Sequence, residues 1–178
     1  MRKSALLTAV LFFLAYPAVL WAFEPDTSSE IQLDVAKAII EVKKSDPGIQ
    51  AFFDGAAGYA VFPTVGKGAI GIGGAHGKGL VIVNEEAIGK TSLSQVTVGL
   101  SLGGQKYAQF IFFKDDTALG HFQRGNYEMG AQASAVAVTA GASADADYDS
   151  GVAVFTNVGG GLMADASIGG QKFTYEAF

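Results

Sequence analysis

The chain has 178 residues, of which 49% are hydrophobic and 16% are charged, a composition that predicts a packed core and excludes a disordered polymer. The length is typical of one domain and excludes a large multidomain enzyme, and the lack of cysteine excludes a disulfide framework or a thiolate metal site. Acidic residues outnumber basic ones by 17 to 12, which argues against nucleic acid as a partner.

The amino terminus has the order of charged and apolar residues that is typical of a secretory signal. A basic start precedes an apolar run over residues 5–21, and Ala22 is a small residue suited to cleavage. We therefore predict a signal peptide over residues 1–22 and an exported mature domain over residues 23–178, in the periplasm or outside the cell. An uncleaved anchor is the alternative, because the run approaches the roughly 20 apolar residues that span a bilayer.

Residues 29–44 follow the period of an amphipathic helix with two apolar lines. Ser28 or Ser29 can cap its start, and the sequence Asp-Pro-Gly at residues 46–48 ends it. One line consists of Ile31, Val35, Ala38 and Val42; the other, nearly opposite, consists of Leu33, Ala36 and Ile40. We expect one line to pack on the domain. The second then needs a cover, which could be more of the protein, another subunit or a membrane surface.

From Gly58 onward the period changes to two, with turn residues every 8–12 positions. This pattern predicts about eight or nine short strands and one short helix over residues 115–122. The strands are predicted over residues 59–62, 69–74, 80–83, 96–102, 108–113, 130–140, 152–155, 161–168 and 172–175, the first being closed by Pro63. The predicted fold class is α+β, mainly antiparallel β, with a barrel- or sandwich-like sheet and an amphipathic N-terminal helix.

A short repeat marks two glycine pairs. Residues 101–107 (SLGGQKY) recur as residues 167–173 (SIGGQKF), and each Gly-Gly lies between two apolar runs. That arrangement predicts primed hairpin turns, in which both central residues have positive φ.

Three lysines adjoin glycine-rich segments that we predict to be turns. Lys78, Lys106 and Lys172 would meet at one end of an up-and-down sheet, near the acidic loop of residues 145–149, and could hold an anion with neighbouring N–H groups. Lysines that merely make the turns soluble are the alternative.

Catalytic motifs are present only as fragments. Residues 99–103 fit G-x-S-x-G around Ser101, and an aspartate and His121 follow in the order of an α/β-hydrolase. The strand pattern continues through Ser101, however, where the hydrolase motif needs a strand-to-helix reversal, so a serine hydrolase is a minor alternative. Residues 66–71 fit G-x-G-x-x-G, but a strand follows where a nucleotide site needs a helix.

Metal-binding patterns are equally incomplete. Asp145, Asp147 and Asp149 resemble the opening of a calcium loop, but the required glycine and glutamate are displaced. A calcium site of looser geometry at these three aspartates is an alternative to a solvated acidic loop. The two histidines have no metal-ligand spacing to carboxylates, so we expect no metal and no cofactor.

The glycine-rich first hairpin carries a family resemblance. Residues 58–68 (GYAVFPTVGKG) and 71–80 (GIGGAHGKGL) resemble the opening of a SYLF domain. Residues 118–122 with 129–134 are similar to the middle of that family, and residues 160–170 to its closing hairpin. The resemblance covers almost the whole mature chain, as in an exported bacterial-type member.

The resemblance implies a non-enzymatic domain that binds phospholipid, with phosphoinositide or actin binding in some eukaryotic members, through an amphipathic N-terminal helix. We therefore expect a lipid or membrane-surface binding module in the cell envelope. The expected lipid-binding residues are Leu33, Lys37, Ile40, Lys43, Lys44, Lys78, Lys106 and Lys172. An envelope scaffold whose second helical line meets a protein partner is the alternative. The sequence does not define the oligomeric state.

Overall fold

A computed structural model describes residues 22–70, 72–98, 103–130, 133–158 and 168–178. Within them lie α1 (Glu30–Ser45), α2 (Gln50–Gly55), α3 (Asp116–Gln123) and two 3₁₀ helices, Pro47–Ile49 and Ala142–Asp145. The strands are β1 (Gly58–Ile70), β2 (Ile72–Val83), β3 (Glu86–Val98), β4 (Gly103–Phe113), β5 (Tyr127–Glu128), β6 (Val136–Ala137), β7 (Val152–Asn157) and β8 (Lys172–Ala177). The predicted signal peptide, except Ala22, and the predicted strand 161–168, except Ile168, lie outside the described residues.

All eight strands form one sheet in the order β5-β8-β3-β2-β1-β4-β7-β6, antiparallel except for the β6–β7 pair. In a flat sheet β5 and β6 would be about 34 Å apart. The chain from Glu128 in β5 to Val136 in β6 can span only about 28 Å. The sheet therefore curls into a half-barrel, and the two edges are joined by residues 127–130 and 133–137, here called the strap. This architecture confirms the predicted α+β, mainly antiparallel fold.

Strand alternation sends apolar side chains into two cores. The inner core fills the half-barrel and includes Phe62, Phe113, Phe122 and Phe173. The outer core lies between the sheet and α1 with α2, where Val35, Ala38, Ile39 and Val42 pack against Val61, Leu80, Phe110 and Phe155. The first apolar line of α1 therefore packs on the domain, as predicted.

The first strands are longer than the predicted ones. Pro63 does not close β1, because the strand passes through it with a register shift in its pairing with both neighbours. Residues 69–70 and 72–74 do not form a separate strand: they are the last residues of β1 and the first of β2, where Ile70 pairs with Ile72. Of the predicted strand 130–140, the described residues contribute only Val136–Ala137 to a named strand. The short helix α3 is confirmed, and its N-cap Asp115 accepts a hydrogen bond from the Ala118 N–H.

The two Gly-Gly pairs are not primed hairpin turns. Gly103 and Gly104 belong to β4 and pair with Ala69 and Gly68, since β3 and β4 are not neighbours in the sheet. Gly169-Gly170 does form a turn, but positive φ occurs only at Gly170, where it is 74°. The β2–β3 connection holds two successive positive φ values instead, 50° at Asn84 and 64° at Glu85.

Candidate functional site

The outward side of α1 is an exposed stripe of apolar and basic residues. Leu33, Lys37, Ile40 and Lys44 follow one another at spacings of four, three and four, which places them along one side of a helix. We call these four residues the outer stripe. Leu33 is 43% exposed and Ile40 is 54% exposed, while Val35 and Val42 on the opposite side are fully buried. In the second apolar line of α1, Leu33 and Ile40 are thus left largely exposed by the described residues.

A buried carboxylate fixes the end of this helix. Asp46 is 1% exposed and accepts hydrogen bonds from the N–H groups of Gly48 at 3.1 Å, Gly141 at 3.3 Å and Ser143 at 2.7 Å. Burial alone would raise the Asp46 pKa, but these hydrogen bonds together lower it below its usual value. Asp46 therefore anchors the C-terminal end of α1 to the 3₁₀ helix Ala142–Asp145.

Lys43 differs from the exposed lysines of the outer stripe. Its Nζ lies 4.3 Å from the centroid of the Phe53 ring, and the residue is only partly exposed. Burial lowers the Lys43 pKa, against the attraction of Glu85 and Asp54, which acts to raise it. Lys43 is therefore part of the packing between α1 and α2, although sequence analysis grouped it with the lipid-binding residues.

The sheet lysines lie on the same face as α1. Lys172 and Lys106 occupy one register row across β8, β3, β2, β1 and β4, with Ser94, His76 and Gly66 between them. Lys78 lies two residues along β2 from His76, on the same face as Leu80, which packs under α1. We call Lys78, Lys106 and Lys172 the lysine row; all three are exposed. Lys172 also forms an ion pair with Glu128, with 3.6 Å between Nζ and Oε2.

The expectation that these lysines lie in turns near the acidic loop is wrong. Each lies within a strand, at a position paired with a neighbouring strand. Phe113, at the end of β4, pairs with Val152, which follows the acidic loop by only a few residues. Lys106 is seven residues from Phe113 along the same strand. That is a separation of about 23 Å. The strands are longer than predicted, so Lys106 and the acidic loop lie far apart.

A large exposed apolar residue on this face escaped sequence analysis. Val96 pairs with Gly74 and alternates with Ser94, so it faces the same way as the lysine row, and it is 78% exposed. The alternation of valines predicted a strand that starts at Val96, ten residues after β3 begins at Glu86, and residues 99–102 of that prediction lie outside the described residues. It could not predict which face would meet solvent, because that depends on how far α1 extends over the sheet.

The predicted catalytic and calcium residues do not form a site within the described part of the chain. Ser101 lies outside the described residues, the Asp115 carboxylate caps α3, and His121 is exposed on that helix. Asp145 is in a 3₁₀ helix, whereas Asp147 and Asp149 lie in the loop that follows it, where Asp149 forms an isolated bridge with Val152. Among the described residues there is no group of three or more histidines or carboxylates that could hold a metal ion. No helix in the same described ranges is long and apolar enough to cross a bilayer.

Comparison with known proteins finds similarity to one protein family and to one curated relative. Residues 94–177 match the family model described as Ysc84, Las17-binding protein actin regulator. Beta cell expansion factor A of Aeromonas veronii is 30% identical over 155 residues, which are 84% of this chain and 59% of the relative. The chain thus spans about three-fifths of that curated relative's length. The resemblance to the SYLF family is confirmed as a similarity, since residues 94–177, which follow the glycine-rich hairpin, match the Ysc84, or SYLF, family model.

Proposed function

We propose that this protein is a non-enzymatic module that attaches to the phospholipid surface of a membrane in the cell envelope. The observation that carries the proposal is the exposure of Leu33 and Ile40 on a helix whose other side is packed. Similarity to a family of lipid- or protein-binding domains supports it. The membrane-facing residues would be the outer stripe, with Val96 and the lysine row beside it on the same face of the sheet.

The free energies of apolar burial and of charge attraction indicate that both are needed for membrane attachment. Burying the exposed parts of Leu33 and Ile40 contributes on the order of 2 kcal/mol, which is too little for stable attachment alone. A lysine near an anionic surface adds about 1 kcal/mol. Lys37 and Lys44 lie in the outer stripe, while Glu30 and Asp34 on an adjoining side of α1 oppose them. Lys78 and Lys106 of the lysine row therefore add to the attraction, whereas Lys172 is partly offset by Glu128, and binding should require anionic lipid and weaken with salt.

The test is flotation of the mature chain with vesicles of neutral lipid alone or with added anionic lipid. We expect flotation with anionic vesicles and its loss in the variant Leu33→Asp/Ile40→Asp, because the new carboxylates oppose both insertion and charge attraction. The matched control Thr117→Asp/Asn126→Asp adds two carboxylates at exposed sites in and after α3 and should float normally. If the intact chain fails to float with either vesicle, the proposal is wrong.

A protein partner for the outer stripe is the second candidate. The matching family model is described as a Las17-binding protein, which favours protein recognition by at least some members. In that case the intact chain would capture a specific protein from an envelope extract and would not float with vesicles. The Leu33→Asp/Ile40→Asp variant would fail to capture that protein.

The envelope location rests on residues 1–22, which we infer to be a cleaved signal peptide. Mass spectrometry of the protein from its native host should then give a chain that begins at Phe23. A chain that retains Met1 would contradict this part of the proposal.

A further inference from the structure

A cavity of about 310 Å³ lies between the strap and the loop that leads into β7. Its walls come from the strap on one side and from the loop and β7 on the other. The volume is at the lower end of the range for small-molecule sites, which is roughly 300–1,000 Å³. It therefore suits a small ligand and does not admit a folded partner.

The deep part of this cavity is apolar. Met129, Val152, Val154 and Ile168 line it, and all four are buried in the inner core. The lining atoms there offer no charge to a ligand. This end of the cavity therefore accepts an apolar part of a ligand that matches it in size.

The outer part of the cavity is acidic. Tyr148 in the loop packs its ring 5.5 Å from that of Phe52 on the outer-core side. Asp147 and Asp149, the residues on either side of Tyr148, both line the cavity. Both are exposed, and within the described ranges neither forms an ion pair with a lysine or arginine. Two carboxylates thus border an apolar cavity without a cationic partner from the described residues.

We propose that this cavity binds a small ligand with an apolar body and one cationic head, such as a primary or quaternary amine. The apolar body occupies the end at Met129 and Ile168, and the head lies between the carboxylates of Asp147 and Asp149. Tyr127 contributes an aromatic wall near Asp149. This inference does not depend on membrane attachment, which uses the α1 face.

The test uses phenethylammonium as the probe, with 2-phenylethanol and 3-phenylpropionate as neutral and anionic analogues. Binding is followed by the NMR signal of the methyl group of Met129, which lies in the floor of the cavity. We expect a saturable shift with the amine, and at least tenfold weaker binding of both analogues. The variant Asp147→Asn/Asp149→Asn should lose at least tenfold in affinity for the amine while keeping the fold, because asparagine can still accept the N–H of Tyr148 and the hydroxyl of Ser150.

Asp145→Asn is the matched control, since it removes a charge from the adjacent 3₁₀ helix at a residue that does not line the cavity. It should keep its affinity within about twofold, as screened charges outside a site contribute little. Equal binding of the three probes, unchanged affinity in Asp147→Asn/Asp149→Asn, or no saturable shift up to the solubility limit of the amine would each overturn the proposal.

Discussion

Gln109 and Gln171 exchange two side-chain hydrogen bonds inside the half-barrel. The Gln109 amide donates to Gln171 Oε1 at 2.8 Å, and the Gln171 amide donates to Gln109 Oε1 at 3.2 Å. The Gln171 amide also lies 3.5 Å from the Tyr107 hydroxyl oxygen, and burial raises the pKa of that tyrosine to about 12. Because both glutamines are buried, the pair ties β4 to the turn before β8 across the interior.

The first prediction concerns this pair. Gln171→Leu should lower the free energy of unfolding by about 2–3 kcal/mol, because it leaves the buried Gln109 amide without its partner. Gln109→Leu should cost a similar amount. The double variant should cost clearly less than the two single variants added together, since no polar group is then stranded. Urea unfolding measures all three, and simple additivity would mean that the two amides are not coupled.

The second prediction concerns the anchor of α1. Asp46→Ala should cost about 2–4 kcal/mol of stability, because the N–H groups of Gly48, Gly141 and Ser143 lose their acceptor. Asp34→Ala, an exposed change on α1, should alter stability by less than about 0.5 kcal/mol. Thermal or urea unfolding compares the two, and equal costs would contradict the anchoring role.

The same carboxylate predicts a pH dependence. The folded-state pKa of Asp46 is lowered from 3.8, so its contribution to stability is complete above that value and is lost as the pH falls through the lower folded value. The difference in unfolding free energy between the wild type and Asp46→Asn should therefore shrink as the pH falls below about 4. A difference that stays constant down to acid unfolding would show that Asp46 is not held ionised in the fold.

The third prediction concerns the irregularity in β1. A Cβ added at Gly79 would collide with the carbonyl oxygen of Val61 and would lie 2.9 Å from the Phe62 ring. Gly79→Ala should therefore destabilise the protein by about 2–4 kcal/mol. Gly66→Ala, where nothing lies within 4 Å of the new methyl group, should be neutral or slightly stabilising. Similar unfolding midpoints for the two variants would contradict the close approach of β1 and β2.

The fourth prediction concerns charge on the sheet face. Lys106→Glu or Lys172→Glu should weaken partitioning onto anionic vesicles by about tenfold each, and added salt should reduce the difference. Lys114→Glu is the matched control, because Lys114 follows β4 at the end of the strand far from the lysine row. Equal losses in all three variants, measured by sedimentation with vesicles, would point to net charge as the only cause.

Helices α1 and α3 were predictable from sequence because their signals are local, whereas the six-residue α2 was not predicted. The period of Val35, Ala38 and Val42 predicted the buried side of α1, and Asp115 predicted the start of α3. The strand lengths were not predictable, because Gly66 and Gly68 interrupt the apolar pattern and indicate turns. Pairing with β2 and β4 nonetheless keeps both glycines in a strand.

The contacts of Asp46 at the end of α1 and the pairing of Gln109 with Gln171 could not be predicted from local sequence patterns. Asp46 meets Ser143 across 97 positions of the sequence, and Gln109 meets Gln171 across 62. Neither contact has a periodic signature, since each depends on how the sheet curls. The same is true of the lysine row, whose members lie on one face of the sheet only through strand register.

The most direct measurement of the central claim uses the absence of cysteine from the native sequence. A polarity-sensitive fluorophore attached to Ile40→Cys reports on the outer stripe, and one attached to Asn126→Cys reports on an exposed site beyond α3. With anionic vesicles, we expect the label at position 40 to move into an apolar environment and become accessible to a lipid-borne quencher, while the label at position 126 stays in water. Two labels that both remain in water, under conditions in which the protein is folded, would contradict membrane attachment through α1.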